Sequence, residues 1–253
     1  SGSSQSAGGR GFIDPINSKL ATLSGNVAVD RASGKFPEGL EVSLLDGAGT
    51  VTDTTKTEKD GTYSFSNVKP GMYSLKLGTV PGYLAPEPFT VETKGEVAVP
   101  EKDLIPITAT GRVIDRDNQP LEGVEVSVGE RNAITNDEGK YTLTGVPAGS
   151  ATLKVAASEK HDTRGDEKAV EIHERAVNEL EDINVLPQFG SVAGQVVDES
   201  GEPVAGVRVT VTVDDGEVGS ATTNERGFYE VGNLLPGVAE IAFAETDFTQ
   251  GKL

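Results

Sequence analysis

The 253 residues carry 40 acidic and 22 basic side chains, and the formal net charge of −18 repels nucleic acid and anionic membrane surfaces alike. Cys is absent, which excludes disulfides, thiol catalysis, zinc–thiolate centres and iron–sulfur clusters, and no apolar run approaches the ~18 residues of a membrane span, so membrane insertion is not expected. With 36% hydrophobic residues, 31 Gly and 5% aromatics, several small cores fit the chain better than one thick one.

Residues 1–20 read as a tail. Ser1 to Arg10 is Gly/Ser-rich and flexible by composition, and a strand-like segment, 11–20, follows it. From there one pattern occurs three times. It opens on Ser24-Gly25-Asn26-Val27, Thr110-Gly111-Arg112-Val113 and Ala193-Gly194-Gln195-Val196, with Gly-to-Gly intervals of 86 and 83 residues. Tight turns follow in the second and third copies, Asp117 to Pro120 and Ser200 to Pro203; the first copy has a longer one, Asp30 to Gly39. Next comes strict alternation through Leu40, Val42 and Leu44, through Val124, Val126 and Val128, and through Val207, Val209, Val211 and Val213. Period two with polar partners predicts half-buried strands.

Each copy then repeats Thr-x-x-x-Gly-x-Tyr, at Thr57–Tyr63, Thr135–Tyr141 and Thr223–Tyr229. The Gly supplies a turn with positive φ and the Tyr opens an inward-facing strand, so the three tyrosines are expected to be buried. A second turn at Pro70-Gly71, Ala148-Gly149 and Pro236-Gly237 leads into strands in matching register: Tyr73, Leu75 and Leu77; Ala151, Leu153 and Val155; Ala239, Ile241 and Phe243. The charged stretch Asp166 to Glu181 invites a helix, but its place in the repeat and Val170-Glu-Ile172 favour strands. The fold class is therefore all-β. We expect three tandem seven-strand-type antiparallel β-sandwiches in an elongated rod, at 21–108, 109–188 and 189–253, the last incomplete.

Gly-x-Val, the Pro120–Val126 and Pro203–Val209 turn–strands, Thr-x-x-x-Gly-x-Tyr and the Pro-Gly turn with its alternating strand together resemble the carboxypeptidase regulatory-like domain. That is a prealbumin-like β-sandwich. The pattern is similar also to the B-type repeats of Gram-positive adhesins and pilins, the first copy more so at Pro81-Gly82-Tyr83. The first resemblance implies an accessory domain without catalytic residues. The second raises an intramolecular Lys–Asn or Lys–Asp isopeptide, which needs a Lys on the first strand. Gly25–Asp30, Gly111–Asp115 and Gly194–Asp198 contain none, and Lys76 and Lys154 fall on outward positions of a later strand.

Chemistry-bearing residues are sparse. The two histidines, His161 and His173, lack the company of a three-ligand zinc site, and no Gly-x-Ser-x-Gly elbow occurs. No enzyme activity is expected. Calcium is the one cofactor left open, through Asp115 and Asp117, Asp198, and Asp214-Asp215, although none matches an EF-hand loop. Tyr83, Phe36 and Phe89 are the surface aromatics that a carbohydrate platform would use; covering the end of the first sandwich is the plainer role for them.

The expected function is that of a non-enzymatic extracellular or cell-surface structural protein, a filament subunit or stalk/adhesin segment. The alternative is a polysaccharide-binding accessory array of a secreted enzyme. After Leu77 the first copy runs through 78–107 to a closing strand at Leu104–Ile107, and after Val155 the second runs through 156–186 to one at Ile183–Leu186. The third has 10 residues after Phe243. Phe12-Ile13-Asp14-Pro15-Ile16-Asn17 meanwhile resembles Asp103–Ile107 and Glu181-Asp182-Ile183-Asn184. Hence residues 11–20 of one subunit are expected to complete the third domain of the next, with Phe12, Ile13, Ile16, Phe243 and Phe248 at the polymer interface. An excerpt from a longer array, or a third copy that closes with fewer strands, are the rival readings. Partners would be copies of the chain head-to-tail, neighbouring domains of a longer chain, or a surface glycan or protein receptor.

Overall fold

The computed structural model describes residues 19–214 and 216–244. Phe12, Ile13, Ile16, Asp215 and Phe248 lie outside the described residues. The chain divides by packing into two compact units: Ser1–Thr110 with Thr142–Ala151 and Val170–Glu179, and Gly111–Tyr141 with Thr152–Ala169 and Leu180–Leu253. Every regular element among the described residues is a strand.

The first repeat holds β1 (Ala21–Asn26), β2 (Glu41–Leu45), β3 (Val51–Lys56), β4 (Thr62–Val68), β5 (Gly71–Leu77), β6 (Tyr83–Leu84), β7 (Phe89–Thr93), β8 (Glu96–Ala98) and β9 (Ile105–Pro106). They form sheets β4-β1-β8 and β3-β2-β5-β7, with β6 paired to β9. The second repeat holds β10 (Thr108–Ile114), β11 (Glu125–Val128), β12 (Arg131–Ile134), β13 (Lys140–Thr144), β14 (Gly149–Val155), β15 (Asp166–Ile172), β16 (Val177–Glu179) and β17 (Ile183–Asn184). Its sheets run β13-β10-β16, with β17 also on β10, and β12-β11-β14-β15. Asp166 to Glu181 thus holds two strands, Asp166–Ile172 and Val177–Glu179, and no helix, as its place in the repeat predicts. The third repeat holds β18 (Gly190–Gln195), β19 (Arg208–Val213), β20 (Gly216–Thr222), β21 (Phe228–Leu234) and β22 (Ala239–Phe243), in sheets β18-β21 and β20-β19-β22.

Burial follows the alternation. Val42 and Leu44 on β2, Val126 and Val128 on β11, and Val209 and Val211 on β19 point into their cores while the residues between them face out. Within the antiparallel sandwiches one strand position runs the other way: β8 is parallel to β1, and β16 and β17 are parallel to β10. The closing strands are also shorter than Leu104–Ile107 and Ile183–Leu186. Ile105–Pro106 pairs with β6, and only Ile183–Asn184 pairs with β10, because the backbone reaches the edge at isolated points: Leu104 N–H donates to the Ala28 carbonyl and Val185 N–H to that of Ile114.

Three small devices recur and fix the repeat. The Gly-x-Tyr glycines, Gly61, Gly139 and Gly227, have φ of 77°, 72° and 74°, and a Cβ on each would strike the backbone carbonyl of Val27, Val113 or Val196. The tyrosine two residues on crosses to the first strand and lies over its glycine, Tyr63 on Gly25, Tyr141 on Gly111 and Tyr229 on Gly194, where any Cβ would collide with the ring. Finally the motif threonine is buried. Its Oγ1 takes the N–H of Leu40, Val124 or Val207 at 2.9 Å and donates to the carbonyl of Pro37, Leu121 or Val204. It thereby stitches the turn before the second strand to the hairpin after it.

Burial pushes the phenol groups of Tyr63 and Tyr141 up to about 12, in the latter case with help from the Asp182 carboxylate. A folded-state value above the ordinary 10 favours the neutral phenol. That contribution to stability is full below about pH 10 and is lost as pH rises towards 12. Spectrophotometric titration should show Tyr63 and Tyr141 ionising late and together with alkaline unfolding; ionisation of these two near pH 10 in the folded protein would contradict this packing.

Candidate functional site

The residues singled out for metal do not assemble. Asp115 and Asp117 share one turn, but Asp115 Oδ1 is already taken by the N–H groups of Asp117 and Gln119, at 2.8 and 2.9 Å. Asp198 does the same in the third repeat, accepting from Ser200 and Glu202 at 2.8 and 3.0 Å. These carboxylates shape their own turns, as Asp46 does in the first repeat. Asp214 is exposed, with φ of 48° in the β19–β20 turn. Among the described residues no group of three or more His, Asp or Glu could hold a metal ion.

His161 Nε2 sits 2.7 Å from the Glu122 carbonyl, and the His173 backbone N–H donates to Asn178 Oδ1. Lys154 faces outward, 3.7 Å from Glu167. Both line an open groove of about 740 Å³ with Glu125, Ser127, Arg164 and Asp166, in which charges of both signs alternate and no acid–base pair is isolated from water. Phe36 lies under Arg31, Phe89 under Lys102, and Tyr83 sits in β6, all three half-buried, which is how caps of a sandwich end are built.

In the first repeat the closing segment is also clamped by charge. Arg31 reaches Asp103 with two hydrogen bonds, at 2.6 and 3.0 Å, and Asp103 Oδ1 accepts the Ala28 N–H. The Arg31 hydrogen bonds hold the Asp103 carboxyl below the usual carboxylate range, against the opposing effect of burial. Arg112 and Asp182, 2.7 Å apart, form the counterpart in the second repeat.

The outstanding surface is in the third repeat. Leu75 and Leu77 on β5 are 0% and 2% exposed, and Leu153 and Val155 on β14 are 1% and 4%; their counterparts on β22, Ile241 and Phe243, are 41% and 50% exposed. Ala28, just past β1, and Ile114, the last residue of β10, are 0% and 6% exposed; the counterpart just past β18, Val197, is 48% exposed. The rest of this core is closed. Val209, Val211, Val231 and Leu234 are as buried as their equivalents. At the core positions exposure is therefore confined to the two edges, β18 and β22, that in the other copies carry β8 or β16 and β7 or β15. Among the described residues of the third repeat neither edge is covered. The tyrosine follows suit: Tyr63 and Tyr141 are buried, whereas Tyr229 is half-buried, edge-on to the open Phe243 at 5.9 Å.

The profile of the carboxypeptidase regulatory-like domain matches residues 108–184 and 191–252, more than half of the chain. Residues 22–105 match that of the BOS complex subunit NOMO1-like, second beta sandwich domain. Among curated proteins the chain is similar to Colossin-A of Dictyostelium discoideum, 26% identical over 88% of this chain and 2% of that protein. It is likewise similar to Serine-aspartate repeat-containing protein D of Staphylococcus aureus, 24% identical over 81% of this chain and 19% of that one. The chain thus spans at most about a fifth of either relative's length. Among solved structures, a Streptococcal ancillary pilin aligns with TM-score 0.45 and 14% identity over 90% of this chain and 91% of its own. The Bacillus anthracis TIE protein aligns with TM-score 0.43 and 17% identity over 90% and 45%.

Proposed function

This chain belongs to the carboxypeptidase regulatory-like domain family, and on that premise we propose that it is a non-enzymatic structural protein of the cell surface that polymerises head-to-tail by strand donation. Repetition supports the structural part. Three copies of one sandwich share turns, glycines and threonine stitches, while the candidate catalytic and metal-ligating residues stay dispersed or engaged in turns. Two curated relatives of much greater length contain similar stretches, as expected of a module used in arrays. Among the described residues no helix is long and apolar enough to cross a membrane.

The observation that carries the polymer reading is the 41–50% exposure of Ile241 and Phe243 where two internal templates bury the same positions. An apolar sheet edge with unpaired N–H and C=O groups invites an added strand. Residues 11–20 resemble the closing segments of the first two repeats and are the proposed donor. Because donor and acceptor are different surfaces, the contact is heterologous and propagates.

Deleting residues 1–20 should abolish assembly as followed by light scattering and electron microscopy, and a synthetic peptide of residues 11–20 should cap the deleted protein. A stable monomer at high concentration of the intact chain, or fibres that persist without the segment, would sink the proposal.

A further inference from the structure

Resting on the strand-donation reading, we propose that the third repeat receives its donor along the free edge of β18, in parallel orientation, and not along β22, so that Phe12 comes opposite Ala193 and Ile16-Asn17 opposite Val196-Val197.

The first two repeats act as templates for the vacancy. Each has two covered edges of opposite character. On one, β7 lies antiparallel to β5, a counterpart of β22, and β15 pairs with β14 in the same place; these are regular strands of 5 and 7 residues. On the other, short segments lie parallel to β1 or β10 and touch it intermittently: Thr22–Ser24 with Glu96–Ala98, Thr108–Thr110 with Val177–Glu179, and Val113–Ile114 with Ile183–Asn184. An occupant for the third repeat must suit one of these edges, and the donor contains Pro15. A proline has no N–H to give a continuous antiparallel ladder, but it is tolerated where only a few backbone bonds are made. The intermittent parallel edge is of that kind.

The side-chain pattern selects the same edge. Asp14-Pro15-Ile16-Asn17 aligns with Glu181-Asp182-Ile183-Asn184, and Ile13 then takes the place of the half-buried Leu180. Ile183 is 3% exposed and sits opposite Val113, whose counterpart in the third repeat is Val196. Val196 is half-buried where Val27 and Val113 are fully buried, and Val197 beside it is 48% exposed. An isoleucine at position 16 would fill the gap over Val196, and Asn17, like the exposed Asn184, would face outward.

Because the chain has no Cys, engineered pairs are unambiguous. Neighbouring parallel strands bring opposite Cα atoms within disulfide range. Two double variants, Phe12→Cys/Ala193→Cys and Asn17→Cys/Val197→Cys, should each give a ladder of disulfide-linked oligomers on non-reducing gels, collapsing to one band on reduction. An antiparallel donor on the same edge cannot satisfy both pairs. As a second measurement, benzophenone attached to Asn17→Cys in the otherwise intact chain should cross-link to peptides spanning 190–199. Cross-links to 239–244, with fibres still dependent on residues 1–20, would overturn the β18 placement and leave strand donation standing. Monomers throughout, with neither ladder nor cross-links, would overturn both.

Discussion

Replacing Tyr141 by Ala should cost roughly 3–5 kcal/mol of unfolding free energy, the range for deleting a large aromatic from a packed core. Tyr141 is 1% exposed and covers Gly111 on the neighbouring strand, so truncation removes the ring's apolar area and uncovers a glycine that has no side chain to fill the gap. The converse change tests the same contact. Gly111→Ala places a methyl inside the space of the ring and should also destabilise, although less, because the ring can shift. Denaturant unfolding of both variants measures this. A Tyr141→Ala loss under about 1 kcal/mol would mean that ring and glycine do not meet.

That contact also marks where the sequence stops being legible. Gly-x-Val and Gly-x-Tyr are both visible as repeated motifs, and the alternation of Leu40, Val42 and Leu44 with its counterparts places the central strands correctly. Nothing in either motif says that the tyrosine of one lies on the glycine of the other, since that depends on the register between β1 and β4, which pairs Gly25 with Tyr63. The motif threonine is similar. Its recurrence is plain, but its role as a buried bridge between two backbone segments appears only once the turns before β2 and after β3 are brought together. Four residues after each tyrosine stand Asn67, Gly145 and Asn233, with φ of 58°, 75° and 54°. Asn and Gly are the residues that accept this conformation, so here the signal was present in residue type and went unread.

The carboxylate candidates misled for the converse reason. At this acid density Asp115 and Asp198 look like ligands, whereas the hairpin geometry uses their oxygens on the turn's own N–H groups. The parallel direction of the closing strands was equally hidden: alternation reports which face is buried and is silent on strand direction.

Equivalent core positions should therefore respond unequally. Leu153→Ala should cost about 2–5 kcal/mol, as buried leucine truncations do, since Leu153 is 1% exposed opposite Val128. Ile241→Ala, at the matching position of β22 opposite Val211, should cost only about 1 kcal/mol in the isolated chain, because 41% of the residue already meets water and its removal leaves little cavity. If a donor strand closes the third sandwich, Ile241 becomes a core residue and the two costs converge. The comparison should be made on the chain lacking residues 1–20, with and without the 11–20 peptide, by denaturant unfolding. The peptide should leave the Leu153→Ala penalty unchanged and raise the Ile241→Ala penalty towards it. Equal penalties without peptide would mean that the third sandwich is already closed by its own chain, and a low Ile241→Ala penalty under saturating peptide would mean that the added strand does not reach this core. The contrast needs no knowledge of what the polymer does. It asks only whether an apolar residue 41% exposed in one copy is waiting for the cover that its two counterparts already have.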